Sequence, residues 1–191
     1  MLPRRTLPLL LAPLLPGLAT AQTAPPELVA LMARMASVTE RRARFREERR
    51  ISALSWPLLS SGTLHYRRPH YVAKQTEEPQ RERFEVDGAQ VALVTEAEGR
   101  RVFALDQVPE LQLLVAAIRA PLAGDLATLE AGFALTFSGQ LADWHLQLVP
   151  RDPRALRFLS RMDLRGAGTE VLESHSLQAN GDVLAMQITP L

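Results

Sequence analysis

Apolar residues recur at every second position through most of this chain, and the runs are separated by turn dipeptides. The clearest case is FEVDGAQVALV (84–94), where two alternating runs flank Asp87-Gly88. A two-residue hairpin loop needs positive φ at both central positions, which Asp-Gly supplies. Period-two alternation puts one side of each run on an apolar face and the other in water. Asn180-Gly181 repeats the signal between TEVLESHSLQ (169–178) and DVLAMQI (182–188). Consecutive hairpins make sequence neighbours antiparallel neighbours, so the pattern demands a large antiparallel sheet.

Strands are expected over 62–68, 71–77, 81–86, 89–95 and 101–105. Later, Phe133, Leu135 and Phe137 alternate, as do Trp144, Leu146 and Leu148. Leu156, Phe158, Met162 and Leu164 are expected to share a face. The arginine-rich ERRARFREERRI (40–51) reads as a strand with Ala43 and Phe45 inward and Arg42, Arg44 and Arg46 outward. Its acidic neighbours Glu40, Glu47 and Glu48 argue against an anion-binding arm.

Helical spacing marks three segments. Leu28, Leu31, Met32, Met35 and Val38 follow Pro26, with an end expected near Thr39. Val108, Leu111, Leu114, Val115 and Ile118 follow Pro109, and 121–131 reads as a short helix broken near Gly124. Ten or eleven strands curl rather than stay flat. The expected fold is therefore α+β and mainly antiparallel β. Such a sheet is expected to curl into a half or whole barrel with an apolar concave face, and the helices to bury their apolar faces at its mouth.

The N-terminus, MLPRRTLPLLLAPLLPGLATA, has a basic start at Arg4 and Arg5, a leucine-rich stretch, and small residues at Ala19 and Ala21. That is the layout of a cleaved signal peptide over 1–21, leaving one domain over 22–191. The prolines and the short apolar stretch argue against a membrane anchor. Removing Arg4 and Arg5 turns 22 basic and 21 acidic residues into 20 and 21, a net charge of −1, which offers nothing to nucleic acid. There is no cysteine. The expected stability comes from the core alone, and lipid attachment through an N-terminal cysteine is excluded.

Catalytic motifs are lacking. His65, His70, His145 and His175 have no second ligand at metal spacing. The serines of SSG and FSG are not in a G-x-S-x-G elbow. No enzyme activity, metal or cofactor is expected.

Several segments in order resemble one family. They are MASVTERRARFREE (35–48), GTLHYRRPHYV (62–72) with its R-P pair, FEVDGAQVALV, WHLQLVP (144–150) and MQITP (186–190). Together they resemble the periplasmic outer-membrane lipoprotein carriers of the LolA type, from about residue 26 to 191. The resemblance implies a half-barrel whose helical lid covers a cavity for acyl chains. It implies a monomeric periplasmic carrier in a Gram-negative cell, with transient membrane contact. Such a carrier collects acylated cargo from an inner-membrane exporter and delivers it to an outer-membrane receptor. The family's R-P arginine matches Arg68, which would latch the lid by bonding to backbone carbonyls in 108–119 or 121–131. The cavity lining expected from alternation and helical spacing is Leu64, Tyr66, Val72, Phe84, Leu93, Phe103, Leu114, Ile118, Phe133, Leu135, Phe137, Trp144, Leu146, Phe158 and Met186.

Two departures from the family pattern stand out. Val72 and Lys74 occupy positions where the family places large apolar residues, and Leu191 alone follows Thr189-Pro190. They imply a divergent branch with a cargo such as a glycolipid or a polyene lipid. A lipid-binding sensor module on the same fold is the alternative role.

Overall fold

A computed structural model describes residues 24–191, so the expected signal peptide lies outside the described residues. Helix α1 (Pro26–Ala36) leads into strand β1 (Glu40–Arg50), followed by β2 (Leu58–Arg67), β3 (Tyr71–Glu78), β4 (Glu82–Asp87), β5 (Gln90–Thr95) and β6 (Gly99–Ala104). Helices α2 (Pro109–Ala123) and α3 (Leu126–Gly132) come next. The chain then returns through β7 (Phe133–Gln140), β8 (Asp143–Pro150), β9 (Leu159–Ala167), β10 (Glu170–Gln178) and β11 (Val183–Pro190).

All described strands lie in one antiparallel sheet, ordered β6-β5-β4-β3-β2-β1-β11-β10-β9-β8-β7. The only pair not joined by a hairpin or short connector is β1–β11, where Phe45 stands opposite Ile188. The chain thus starts at the middle of the sheet and works outward to β6. It crosses through α2 and α3, and works back from β7. The helical segment is a strap between the sheet's two edges. It lies across the inner face, where its apolar residues pack on both halves of the sheet.

Register fixes which side chains face the helices. Phe133, Leu135 and Phe137 stand opposite Pro150, Leu148 and Leu146, and Leu146 stands opposite Leu164. These residues pack with Leu28, Leu31, Met32 and Met35 of α1, Ala117 and Ala120 of α2, and Leu129 of α3. A second, smaller cluster joins Val86 and Val91 to Leu105 and Val115, with Val72, Phe84, Phe103 and Leu111 against it. The inner face is therefore covered by helices over two separate apolar areas. The central strands β10, β11, β1 and β2 lie between them.

Glycine is required where α1 and α2 meet. Gly124, at φ 68°, ends α2 in the left-handed region, and a Cβ there would stand 2.1 Å from the Met32 carbonyl oxygen. Gly166 serves the same purpose in the sheet. A Cβ there would lie 2.2 Å from the Trp144 ring, which crosses it to donate from Nε1 to the Gly168 carbonyl at 3.1 Å.

Two expectations about side chains are corrected. Ile118 is 44% exposed. The helix LQLLVAAIRAPLA is apolar almost all round, so spacing alone did not choose its face. The face that packs is centred on Ala117 and Ala120, whose small side chains allow close approach to α1. Phe158 is 40% exposed. A turn of 3-10 helix over Ala155–Arg157 ends the connector, so the strand starts at Leu159 and neither Leu156 nor Phe158 belongs to its inner row. Boundaries also differ: α1 ends at Ala36 rather than near Thr39, β2 begins four residues before Gly62, and α2 runs through Pro121 to Ala123, so the second short helix starts at Leu126 rather than at 121.

Candidate functional site

The two long helices point their C-termini at the same end of the sheet, where orphan carbonyls and the negative ends of helix dipoles accumulate. Arginines from the sheet take up those carbonyls. Arg68, just past β2, donates from Nη1 to the Ala36 carbonyl of α1 and, at 3.2 Å, to the Ala123 carbonyl of α2. Its backbone N–H donates to Thr39 at 2.8 Å, which fixes the side chain's starting point. One guanidinium therefore ties two helix ends to the sheet.

A second arginine joins it. Arg41 Nη1 donates to the Leu122 carbonyl at 3.1 Å, and Nη2 to the Thr169 carbonyl of the β9–β10 turn at 3.1 Å. Nη2 also meets Met35 Sδ at 3.1 Å. Burial pulls the Arg41 pKa down, and the Glu170 charge acts against that. A third tie, Arg119 of α2, donates to the Gly88 carbonyl at 3.0 Å and the His70 carbonyl at 3.3 Å. The strap is thus held at this end by three guanidiniums whose hydrogen-bonded oxygens are backbone carbonyls. Tyr66 sits beneath them, its ring 5.8 Å from the Arg41 guanidinium. Burial raises its phenol pKa, against the pull of Arg68, Arg41 and Arg119. Its hydroxyl and Arg41 Nε have no hydrogen-bond partner among the described residues.

The expected lining residues fall in three groups. Phe133, Trp144 and Leu146 are buried in the larger cluster, with Leu114, Leu135 and Phe137 packed against it. Val72, Phe84 and Phe103 lie in the smaller cluster, and Leu93 stands opposite Phe84 on the same face. Leu64, Tyr66 and Met186 occupy the central strands, where Met186 faces Glu47 across the β1–β11 pair. Ile118 and Phe158 are not brought to this face.

Arg41 was missed from sequence, and so was an ion pair on the inner face. Glu47, only 9% exposed, accepts from Lys74 Nζ at 2.5 Å and from Ser60 Oγ at 3.2 Å. Lys74 also sits 4.8 Å from the Phe45 ring centre. The signal was present in β1: Arg41, Ala43, Phe45 and Glu47 share a parity, so a strand with Phe45 inward carries Arg41 and Glu47 inward too. A groove of about 600 Å³ is lined by Arg46, Glu48, Ser61 and His175, which the registers put on the opposite face of the sheet, and also by Glu47, Ser60 and Met186.

A family model described as outer membrane lipoprotein carrier protein LolA-like matches residues 21–189. No curated protein matches the chain. Among solved structures, a LolA superfamily protein from Nitrosomonas europaea aligns with a TM-score of 0.47 at 8% identity, over 85% of this chain and 90% of that one. A DUF1329 family protein from Desulfovibrio piger aligns with a TM-score of 0.44 at 8% identity, over 85% and 88%. The MucA/MucB complex of Pseudomonas aeruginosa gives a TM-score of 0.46 at 16% identity, over 85% of this chain and 54% of the matched chain. The family model spans nearly the whole chain, described sheet and strap included, and the chain belongs to the LolA-like family of outer membrane lipoprotein carrier proteins.

Proposed function

We propose that this protein is a periplasmic carrier, not an enzyme. It shields the acyl chains of a lipoprotein or related lipid beneath its helical strap and shuttles them from the inner toward the outer membrane. The observation that carries this reading is the arginine-tied strap over an apolar sheet face. The apolar side chains under the strap are held by three polar ties at one end, and those ties can exchange carbonyls for water when the strap lifts. An acyl chain entering between helices and sheet replaces helix–sheet contacts with chain contacts. Exposing a sixteen-carbon chain to water costs on the order of 12 kcal/mol at about 0.8 kcal/mol per CH₂, so crossing an aqueous compartment requires such a cover.

Arg68 is the latch in this reading, with Arg41 as its partner. Each charge-assisted bond is worth about 1.5–3 kcal/mol, enough to bias open against closed by tenfold or more. Closure favours release, and direction comes from the exporter and receptor that bind each form. The Glu47–Lys74 pair puts a polar spot on the inner face, which favours a cargo with a polar group near its acyl chains. A glycolipid fits that requirement.

Native mass spectrometry of the protein purified from its own periplasm tests the reading. A chain that begins at Gln22 with an acyl-bearing adduct is expected. Protein recovered without any acylated molecule, from wild type and from Arg68→Leu alike, would overturn it.

A further inference from the structure

Strand registers give the sheet two ends. The arginine ties share one end with the turns at 68–70, 88–89 and 168–169. The β1–β2 loop lies at the other, with the turns at 79–81 and 179–182 and the 151–158 connector. The far loop, 51–57, and the first half of β2 are unusual. Residues 51–64, ISALSWPLLSSGTL, carry no charged side chain. Trp56 is 83% exposed, Leu59 65%, Leu58 50% and Leu54 49%.

The loop is not loose chain. The Ser52 N–H donates to Asp182 Oδ1 at 2.9 Å, pinning the loop's base to the β10–β11 turn. The Ala179 N–H of that turn donates to the Phe158 carbonyl. Phe158 and Leu156, 40% and 39% exposed, are therefore at the same end, beside the exposed Arg154 and Arg157. Two segments with exposed apolar side chains are thus joined through the β10–β11 turn.

We propose that this end is a docking surface that seats in the interfacial layer of a lipid bilayer, with Trp56 as the deepest anchor. Two observations favour a bilayer over a protein partner. The loop offers exposed leucines and an indole without a charged side chain to pair with a protein's polar rim. Indole is the side chain most at home at the membrane–water interface. Arg49 and Arg50 are exposed and adjoin the apolar run in sequence, which supplies basic groups for headgroup phosphates. The surface also lies at the end of the sheet away from the ties, so docking leaves Arg41, Arg68 and Arg119 undisturbed. The inference does not depend on what the protein carries.

The test uses the full mature protein and vesicles of phosphatidylcholine, with or without phosphatidylglycerol. Trp144 is 1% exposed, so a change in indole emission on adding vesicles reports Trp56. A blue shift and quenching by brominated acyl chains are expected. Trp56→Ser should lower partitioning about tenfold, since burying one large apolar side chain is worth a factor of that order. Trp56→Phe should restore most of it. Arg50 is already paired with Glu48 at 2.5 Å, so phosphatidylglycerol should strengthen binding by about fivefold, the share of one basic residue. Both variants alter an exposed residue, and unchanged circular dichroism confirms their folding. Emission unmoved and unquenched at saturating vesicle concentration would overturn the proposal. So would a concentration-dependent dimer, seen by sedimentation, that shields Trp56 from quenchers in solution.

Discussion

At the scale of single residues, the chain solves one problem twice. Two helix C-termini leave carbonyls pointing at the sheet, and two guanidiniums from neighbouring strands satisfy them. Arg68 reaches Ala36 and Ala123, while Arg41 reaches Leu122 and Thr169. Arg68→Leu removes both bonds of its guanidinium and leaves the strands intact. The expected result is tighter binding of an apolar dye, by about tenfold, with a small loss of stability. Arg68→Lys should recover only part of the wild-type behaviour, because an ammonium lacks the planar fork. Dye titration of the three proteins checks this, and equal affinities would mean that Arg68 is a rim residue. Arg68 was legible in the sequence through its R-P context. Arg41 was hidden in a run of six arginines that reads as a solvated face, although its parity with Phe45 places it inward.

At the scale of elements, the seat of the strap depends on Gly124 and on the cap of α3. Gly124→Ala adds a left-handed non-glycine residue and drives a methyl into the Met32 carbonyl. Its expected cost is at least about 2 kcal/mol in urea unfolding. Asp125 caps α3 by accepting from the Thr128 N–H at 2.9 Å and from its hydroxyl at 2.6 Å. The Thr128 hydroxyl and then its N–H hold the Asp125 carboxyl below the ordinary 3.8, with burial opposing. A depressed carboxylate contributes stability that is full above its unfolded value and lost as pH falls through the folded value. Helix α3 should therefore loosen only below about pH 4. Asp125→Ala should weaken it at neutral pH by about 1 kcal/mol and remove that acid step. Amide exchange of 126–132 across pH reads both, and an acid step that survives in Asp125→Ala would assign it elsewhere. The hairpins were legible because Asp-Gly and Asn-Gly fix the turn and alternation fixes the face. The packed face of α2 was not legible. Its apolar residues surround the axis, and contact with α1 selected Ala117 and Ala120 rather than Ile118. Phe158 was misplaced because the strand starts only at Leu159, after a helical turn, and a bulge between Leu159 and Arg161 shifts the alternation so that Leu159 is buried in its place.

At the scale of the whole molecule, topology makes the lid a strap. Helices α2 and α3 join the outermost strands, β6 and β7, so they cannot leave the sheet without remaining tethered at both ends. For the proposed carrier, opening is therefore expected to be a lift of the strap while the sheet stays paired. Hydrogen exchange across 109–132, with and without a saturating fatty-acyl ligand, tests that claim directly. The account predicts faster exchange in α2 and α3 on ligand binding, unchanged protection in β8–β9 and β1–β2, and the same pattern already present in unliganded Arg68→Leu. Binding that leaves the strap's exchange unchanged, or that slows it along with the sheet, would contradict the account.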